Sequence, residues 1–259
     1  MSYLFQRVFV VIFTLAAAIA MSAQTGSERQ SIILNNQGVT QFEKGEYDEA
    51  VKTFNQAIEL DPKAWTPHSN LGHLYLHTKD LARSESAFRR AIELRPDYAL
   101  SYNQLGIVLL ELHRDKEALD AFLAAIARKP DDGVLYLNAG NARIALKDYK
   151  GAIEVLEKAK TLDPVNASVR LNLGYAYAMR EKFGRAIEEI REAVKINPKD
   201  EKAQFFLGNL YLANHDKDAA LVQHKTVYAL SPDLGRKLFQ AINRDKIVTA
   251  PQETLGFRP

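Results

Sequence analysis

Residues 167–198 read ASVRLNLGYAYAMREKFGRAIEEIREAVKINP, and their spacing predicts two amphipathic helices joined by a short polar turn. The first half places small or apolar side chains on one helical face, at Leu173, Gly174 and Tyr177. The second half follows the i, i+4, i+7 pattern of a helix, at Ala186, Ile190 and Ala193. Pro198 then ends the second helix, because its ring cannot continue a helix interior. The stretch is therefore a helical hairpin.

The same hairpin recurs along the chain with a period of 34 residues. Proline returns six times at this spacing, at Pro62, Pro96, Pro130, Pro164, Pro198 and Pro232. Glycine follows the same period, at Gly38, Gly72, Gly106, Gly140, Gly174 and Gly208. Counting 34 positions from Ser31 gives six repeats, with glycine at position 8 and proline at position 32: 31–64, 65–98, 99–132, 133–166, 167–200 and 201–234. A fixed period of this length predicts a stack of supersecondary units.

Glycine at position 8 and small residues at position 20 have a steric explanation. Position 20 is alanine in five repeats and Ser84 in the other. Glycine inside a helix costs about 1 kcal/mol relative to alanine. Six glycines at one helix position therefore indicate that close packing between the two helices of a hairpin is worth more than that cost.

These residues closely resemble the tetratricopeptide repeat, whose signature has small or apolar residues at positions 7, 8, 11, 20, 24 and 27 and proline at 32. The resemblance covers residues 31–234 and implies an all-α solenoid of six helix-turn-helix repeats, wound as a right-handed superhelix. Departures from the pattern concentrate in the first and last repeats, with two more in the fourth: Gln37, Gln41, His224, Val227, Arg143 and Lys160. We expect the last two, both charged, to weaken packing within the fourth repeat.

The segments outside the repeats have separate interpretations. Residues 24–30 read as a short polar linker. Residues 233–246, DLGRKLFQAINRDK, predict an amphipathic helix that caps the last repeat, so that 235–259 form a capping helix and a tail. Leu234, Leu238, Ala241 and Ile242 line its apolar face, with Phe239 beside it.

Residues 1–23 read as a secretory signal peptide. Arg7 gives a positive start, and an uncharged apolar run of thirteen residues follows from Val8 to Ala20. The run is shorter than the roughly 20 apolar residues of a spanning helix. We predict cleavage after Ala23 or Ala20 and export to the periplasm or the medium. The alternative is an uncleaved membrane anchor.

The resemblance places positions 2, 5, 6, 9, 12 and 13 of the first helices toward a concave groove. Position 6 holds a carboxamide in five repeats: Asn36, Asn70, Gln104, Asn138 and Asn172. Such a row could clamp the backbone of an extended peptide, since each amide offers two donors and an acceptor. The alternative is that asparagine is simply common at this position in the family.

Further candidate groove residues come from positions 5, 6 and 9. They are His73, Asn141, Tyr175, Phe205, Phe206 and Asn209. Because aromatic anchors usually dominate binding, we expect the tightest contacts at the wall of repeats five and six. The alternative is that some of these side chains pack between neighbouring repeats.

No pattern in the chain favours catalysis, a cofactor or a metal. The chain has no cysteine and a net charge of +2, without the strongly basic balance typical of nucleic-acid binding. His73 and His77 are four residues apart, with His68 one turn earlier, but no further ligand is evident and we predict no metal site. We expect the adjacent Glu188 and Glu189 to lie on a solvated helix face.

Two functions remain. The first is an exported scaffold, not an enzyme, that binds an extended peptide or a helix of a partner protein in its concave groove. The second is a membrane-anchored structural subunit of a cell-envelope assembly that uses its convex face. Neither hypothesis requires a cofactor, and only an uncleaved leader would bring the chain to a membrane.

Overall fold

The computed structural model describes residues 25–244, and this part of the chain is all-α, with thirteen helices and no strand. The chain divides into two compact units, the first ending at Val108 and the second beginning at Leu109. The predicted leader, 1–23, and the tail beyond Arg244 lie outside the described residues. The fold class predicted from the 34-residue period is confirmed.

The first unit contains two complete helical hairpins and the start of a third. Helix α1 covers residues 25–43 and is followed by α2 (Tyr47–Leu60), α3 (Trp65–His77), α4 (Leu81–Leu94) and the part of α5 (Ala99–Glu111) up to Val108. Phe54, Leu71 and Leu74 form its apolar core with Ala50 and Ala87.

The second unit continues the same alternation. Its helices are α6 (Asp115–Arg128), α7 (Gly133–Ala145), α8 (Tyr149–Leu162), α9 (Ala167–Ala178), α10 (Phe183–Ile196), α11 (Glu201–Ala213), α12 (Lys217–Leu230) and α13 (Pro232–Arg244). Every second helix of a repeat, from α2 to α12, occupies repeat positions 17–30. The period in the sequence is therefore the period of the helices.

A left-handed residue at position 15 ends the first helix of every repeat. Gly45 has φ of 81°, and the five other residues have φ between 56° and 62°: Lys79, His113, Lys147, Glu181 and His215. In the second repeat, Lys79 N–H donates to the Leu76 carbonyl at 3.1 Å, and Asp80 N–H donates to the Tyr75 carbonyl at 2.8 Å. This is the Schellman arrangement, which satisfies carbonyls that the helix end leaves free.

The glycine at position 8 lies under a large side chain. A Cβ atom added to Gly72 would lie 2.8 Å from ring atoms of Phe88, and one added to Gly140 would lie 2.5 Å from Leu156. Both covering residues occupy position 24 of the second helix and are fully buried. The close packing inferred from the sequence is therefore contact between the glycine backbone and the position-24 side chain.

The sixth repeat uses a different covering residue. A Cβ on Gly208 would meet Leu238 of α13 at 2.5 Å, while position 24 is the partly exposed His224. The predicted apolar face of α13 is buried through Leu238, Ala241 and Ile242. The last helix therefore supplies the apolar contact that His224 cannot make.

The structure corrects two sequence predictions at the ends of the array. Residues 25–30, predicted as a linker, are helical and continuous with α1. Glu28, Arg29 and Gln30 are good helix formers, so nothing stops the helix from extending past Ser31. The final helix begins at Pro232, earlier than the predicted 233, because proline is well suited to the first position of a helix.

The charged residues of the fourth repeat are paired. Lys160 Nζ lies 2.7 Å from carboxylate oxygens of both Glu157 and Glu189, and Arg170 lies 2.9 Å from Glu189. The Glu189 side chain is 12% exposed, so the prediction of a solvated face holds for Glu188 and is wrong for Glu189. Arg143 similarly bonds Asp148 at 2.5 Å.

Candidate binding surface of the first helices

Positions 2, 6 and 9 of a first helix have i, i+4, i+7 spacing and lie on one helical face. In the first unit we call these residues the unit-one face: Ile32, Asn36, Val39, Thr66, Asn70, His73, Leu100, Gln104 and Ile107. Ile32 is 61% exposed, Leu100 is 42% exposed and Asn36 is exposed, and the other six are half-buried. The face is accessible on all three helices that build it.

The unit-one face is free of formal charge. Helix α3 contains no Asp, Glu, Lys or Arg, and neither does α5 between residues 99 and 108. The charged side chains of the same hairpin lie on its second helix, where Arg89 pairs with Glu85 at 2.8 Å and Arg90 pairs with Glu93 at 2.7 Å. Within the hairpin of α3 and α4, Asp, Glu, Lys and Arg are thus confined to α4 among the helical residues.

The carboxamides of the unit-one face bond partly to one another. Asn70 Nδ2 donates to Asn35 Oδ1 at 2.8 Å, which joins α3 to α1, and Asn35 Nδ2 donates more weakly to Asn36 Oδ1 at 3.4 Å. One donor of Asn70 therefore couples neighbouring repeats. The predicted ladder is structural in part, in addition to any role in binding.

The two histidines near this face, His73 and His77, each contact an aromatic side chain. The His73 ring packs edge-on against Phe88 with centroids 5.1 Å apart, and burial lowers the pKa of its imidazole. His77 Nε2 lies 2.8 Å from the Tyr47 hydroxyl. Within residues 25–244, no group of three or more His, Cys, Asp or Glu side chains is placed to hold a metal ion.

In the second unit, α7 keeps the face open. Val134 is 53% exposed, and Asn138 and Asn141 are half-buried. Asn172 of α9 donates a hydrogen bond to Asn141 Oδ1, so the carboxamides at positions 6 and 9 connect these two helices. Asn172 itself is buried, in contrast to Asn138 at the same repeat position.

The aromatic wall predicted in repeats five and six is not a surface. Tyr175 is 0% exposed, Phe205 2% and Phe206 3%. Tyr175 packs against Tyr149 with ring centroids 6.1 Å apart, and Phe206 belongs to the same apolar core. The prediction that these residues form the tightest ligand contact is wrong, because such large rings are buried against neighbouring helices.

Phe205 and Asn209 of α11 are also buried. Phe205 packs with Leu238 and Ile242 of α13. Asn209 is buried and donates to the Phe205 carbonyl at 3.1 Å, one turn earlier in α11. The capping helix predicted from the sequence therefore covers part of the surface predicted to bind.

The exposed apolar residues at position 2 were not among the predicted site residues. Ile32, Leu100 and Val134 are large, apolar and at least 42% exposed. The available signal was an apolar side chain at position 2, which the resemblance places toward the groove. It was weak because position 2 also holds Thr66, Ser168 and Lys202.

Models of known families match most of the repeats. A family described as TPR repeat matches residues 38–78 and 140–180. Two families described as tetratricopeptide repeat match residues 64–131 and 171–233. No curated protein sequence matches the chain.

Several solved structures share the fold at low sequence identity. YrrB, described as a TPR protein with an unusual peptide-binding site, is 23% identical, has a TM-score of 0.63 and covers 72% of this chain and 97% of its own. PilF of Pseudomonas aeruginosa is 20% identical with a TM-score of 0.70, and the match covers 83% of this chain and 99% of PilF. PilW, a type IV pilus biogenesis factor, is 19% identical with a TM-score of 0.70, covering 81% and 98%.

Proposed function

Because this chain belongs to the tetratricopeptide repeat family, we propose that it is an exported, non-enzymatic scaffold that binds an extended peptide or a helix of a partner protein. The first helices supply the binding surface. The observation that carries the proposal is the accessible and uncharged unit-one face, with Ile32 and Leu100 exposed on it. Exposed apolar side chains on a face without charged residues match the composition typical of the core of an interface.

Two further observations support the proposal. YrrB has the same fold and is described as having a peptide-binding site. Residues 1–23 have the composition of a cleavable leader, which supports export.

Among the described residues, no helix has the length and apolarity needed to cross a membrane.

Site-specific photo-crosslinking in the native host tests which surface binds. A photoreactive amino acid replaces Leu100 on the first helix of repeat three or Leu123 on its second helix. The two leucines make a matched pair, because they are 42% and 39% exposed. The proposal expects a discrete crosslinked partner from Leu100 and none from Leu123.

The alternative is a membrane-anchored envelope subunit that binds through its second helices. It reverses the crosslinking result and leaves the leader in place. Mass spectrometry of the native N-terminus distinguishes export with a cleaved leader from anchoring by an uncleaved one. A chain that begins at Gln24 or Met21 supports export, and a chain that retains Met1 in the membrane fraction contradicts it.

A further inference from the structure

We propose that the unit-one face accepts an uncharged, extended segment whose two aliphatic side chains lie about six residues apart, an assignment that rests on the scaffold function proposed above. The aliphatic side chains would lie on Ile32 and Leu100. The backbone between them would lie along Asn36, Asn70 and Gln104. The partner is thus defined by charge, by backbone conformation and by spacing.

The absence of charge selects against charged partners. A Lys or Glu side chain laid on α3 or on residues 99–108 would lose water without gaining an opposite charge, because these segments contain no Asp, Glu, Lys or Arg. His73 adds no positive charge near neutral pH, since burial lowers its pKa. An uncharged segment avoids this desolvation cost.

The carboxamides favour an extended segment over a helix. An asparagine amide has two N–H donors and an oxygen acceptor. Asn70 uses one donor for Asn35, which leaves its other N–H and its oxygen for a ligand. A helix satisfies its own backbone groups along its length, whereas an extended chain presents free N–H and C=O groups to such amides.

The spacing follows from the separation of the first helices. Packed helices lie about 8–10 Å apart. Because α5 begins 34 residues after α3, one repeat further along, we infer a second step of the same size, so that α1 and α5 lie about 16–20 Å apart. The 2.8 Å bond from Asn70 to Asn35 shows that α1 and α3 are direct neighbours. A polyproline II segment rises about 3.1 Å per residue, with three residues per turn, so about six residues span this distance and return to the same side.

Fluorescence anisotropy with the protein purified from its native host tests the assignment. The probes are labelled peptides of proline, serine and glutamine that carry two leucines, either six or four residues apart. A third peptide keeps the six-residue spacing and carries glutamates between the leucines. We expect the uncharged peptide with leucines six residues apart to bind about tenfold tighter than either other peptide. Its Kd should change less than about twofold between about 50 and 500 mM salt.

Matched variants assign the binding to the unit-one face. Leu100→Asp should raise the Kd of the uncharged peptide with six-residue leucine spacing about tenfold, and Leu123→Asp should leave that Kd unchanged. Circular dichroism confirms that both variants remain helical. Equal binding of both spacings, preference for the glutamate peptide, or no binding of any peptide would each overturn the assignment. The scaffold proposal would survive these results if Leu100 still crosslinks to a partner, and it fails separately if only Leu123 does.

Discussion

Helices α3 and α11 occupy the same place in their repeats and have opposite surroundings. In α3, Asn70 and His73 are half-buried on an accessible face. In α11, every residue from Ala203 to Leu210 is buried, including the equivalents Phe206 and Asn209. The position of a residue within the repeat therefore tells on which side of the helix its side chain lies. The size of the side chains and the presence of α13 decide whether that side reaches solvent.

The largest expected difference between the buried end of the array and the accessible unit-one face is at position 6 of the repeat. Phe206→Ala should lower the free energy of unfolding by about 3–5 kcal/mol, because it leaves a cavity in the core of the second unit. Gln104→Ala, on the accessible face, should cost about 0.5 kcal/mol or less. Urea unfolding followed by circular dichroism measures both. Similar losses would mean that position 6 is buried equally in the two regions.

At position 8, the two regions differ in the stiffness of the side chain that packs on the glycine. Gly72→Ala places a Cβ 2.8 Å from the Phe88 ring, which cannot bend away, and should cost about 1–3 kcal/mol. Gly208→Ala meets the flexible end of Leu238 and should cost less. Gly184→Ala is the control, because nothing lies within 4 Å of its Cβ, and thermal unfolding should show it neutral or stabilised.

Position 15 should behave alike after both helices, since its hydrogen bonds are local. Lys79 and His215 have φ of 62° and 60°, a region that favours glycine. Lys79→Gly and His215→Gly should each raise the free energy of unfolding by about 0.5–1 kcal/mol. A gain at only one of them in urea unfolding would show that the turn is constrained by its surroundings and not by its own backbone.

The smallest expected effect is on the pH dependence of stability. Burial lowers the pKa of His73, so the unfolded chain binds its proton more readily than the folded one. His73 therefore favours folding above the unfolded pKa of about 6.5, and stability falls as pH drops below it. The pKa of His68 is lowered too, by burial and then by Arg90, against an opposing effect of Glu93. His73→Asn, which introduces the residue found in α11, should reduce the change in unfolding midpoint between about pH 7 and pH 5.5. An unchanged slope would contradict this explanation.

The sequence predicted the repeats much better than the candidate site. Pro and Gly with a common period were sufficient to predict the hairpins, and the helix bounds repeat with that period. The residues of the candidate site differ in accessibility, which the repeat pattern alone did not predict. Asn36, Asn70, His73, Gln104, Asn138 and Asn141 are at least partly accessible, whereas Asn172, Tyr175, Phe205, Phe206 and Asn209 are buried.

The missed features have a common physical basis. The spacing of residues in the sequence shows which of them share a helical face, but not whether that face is buried. Large aromatic rings are stabilised more by burial in the core than by exposure at the surface, and so they are found inside. The pairing of Lys160 with Glu189 was missed similarly, since the two residues lie in different hairpins. Neither interaction has a signature in the spacing of residues along one helix.

The amino-acid sequence by itself determined the period, the helix type and the hairpin unit, because these depend on side chains within one or two helical turns and on the backbone limits of proline and glycine. The tertiary structure alone decided which faces stay open. Leu238 lies over Gly208 in place of His224, and Phe205 is covered by α13. Burial is a property of contacts between distant residues, and so it cannot be read from the local spacing that defines the repeat.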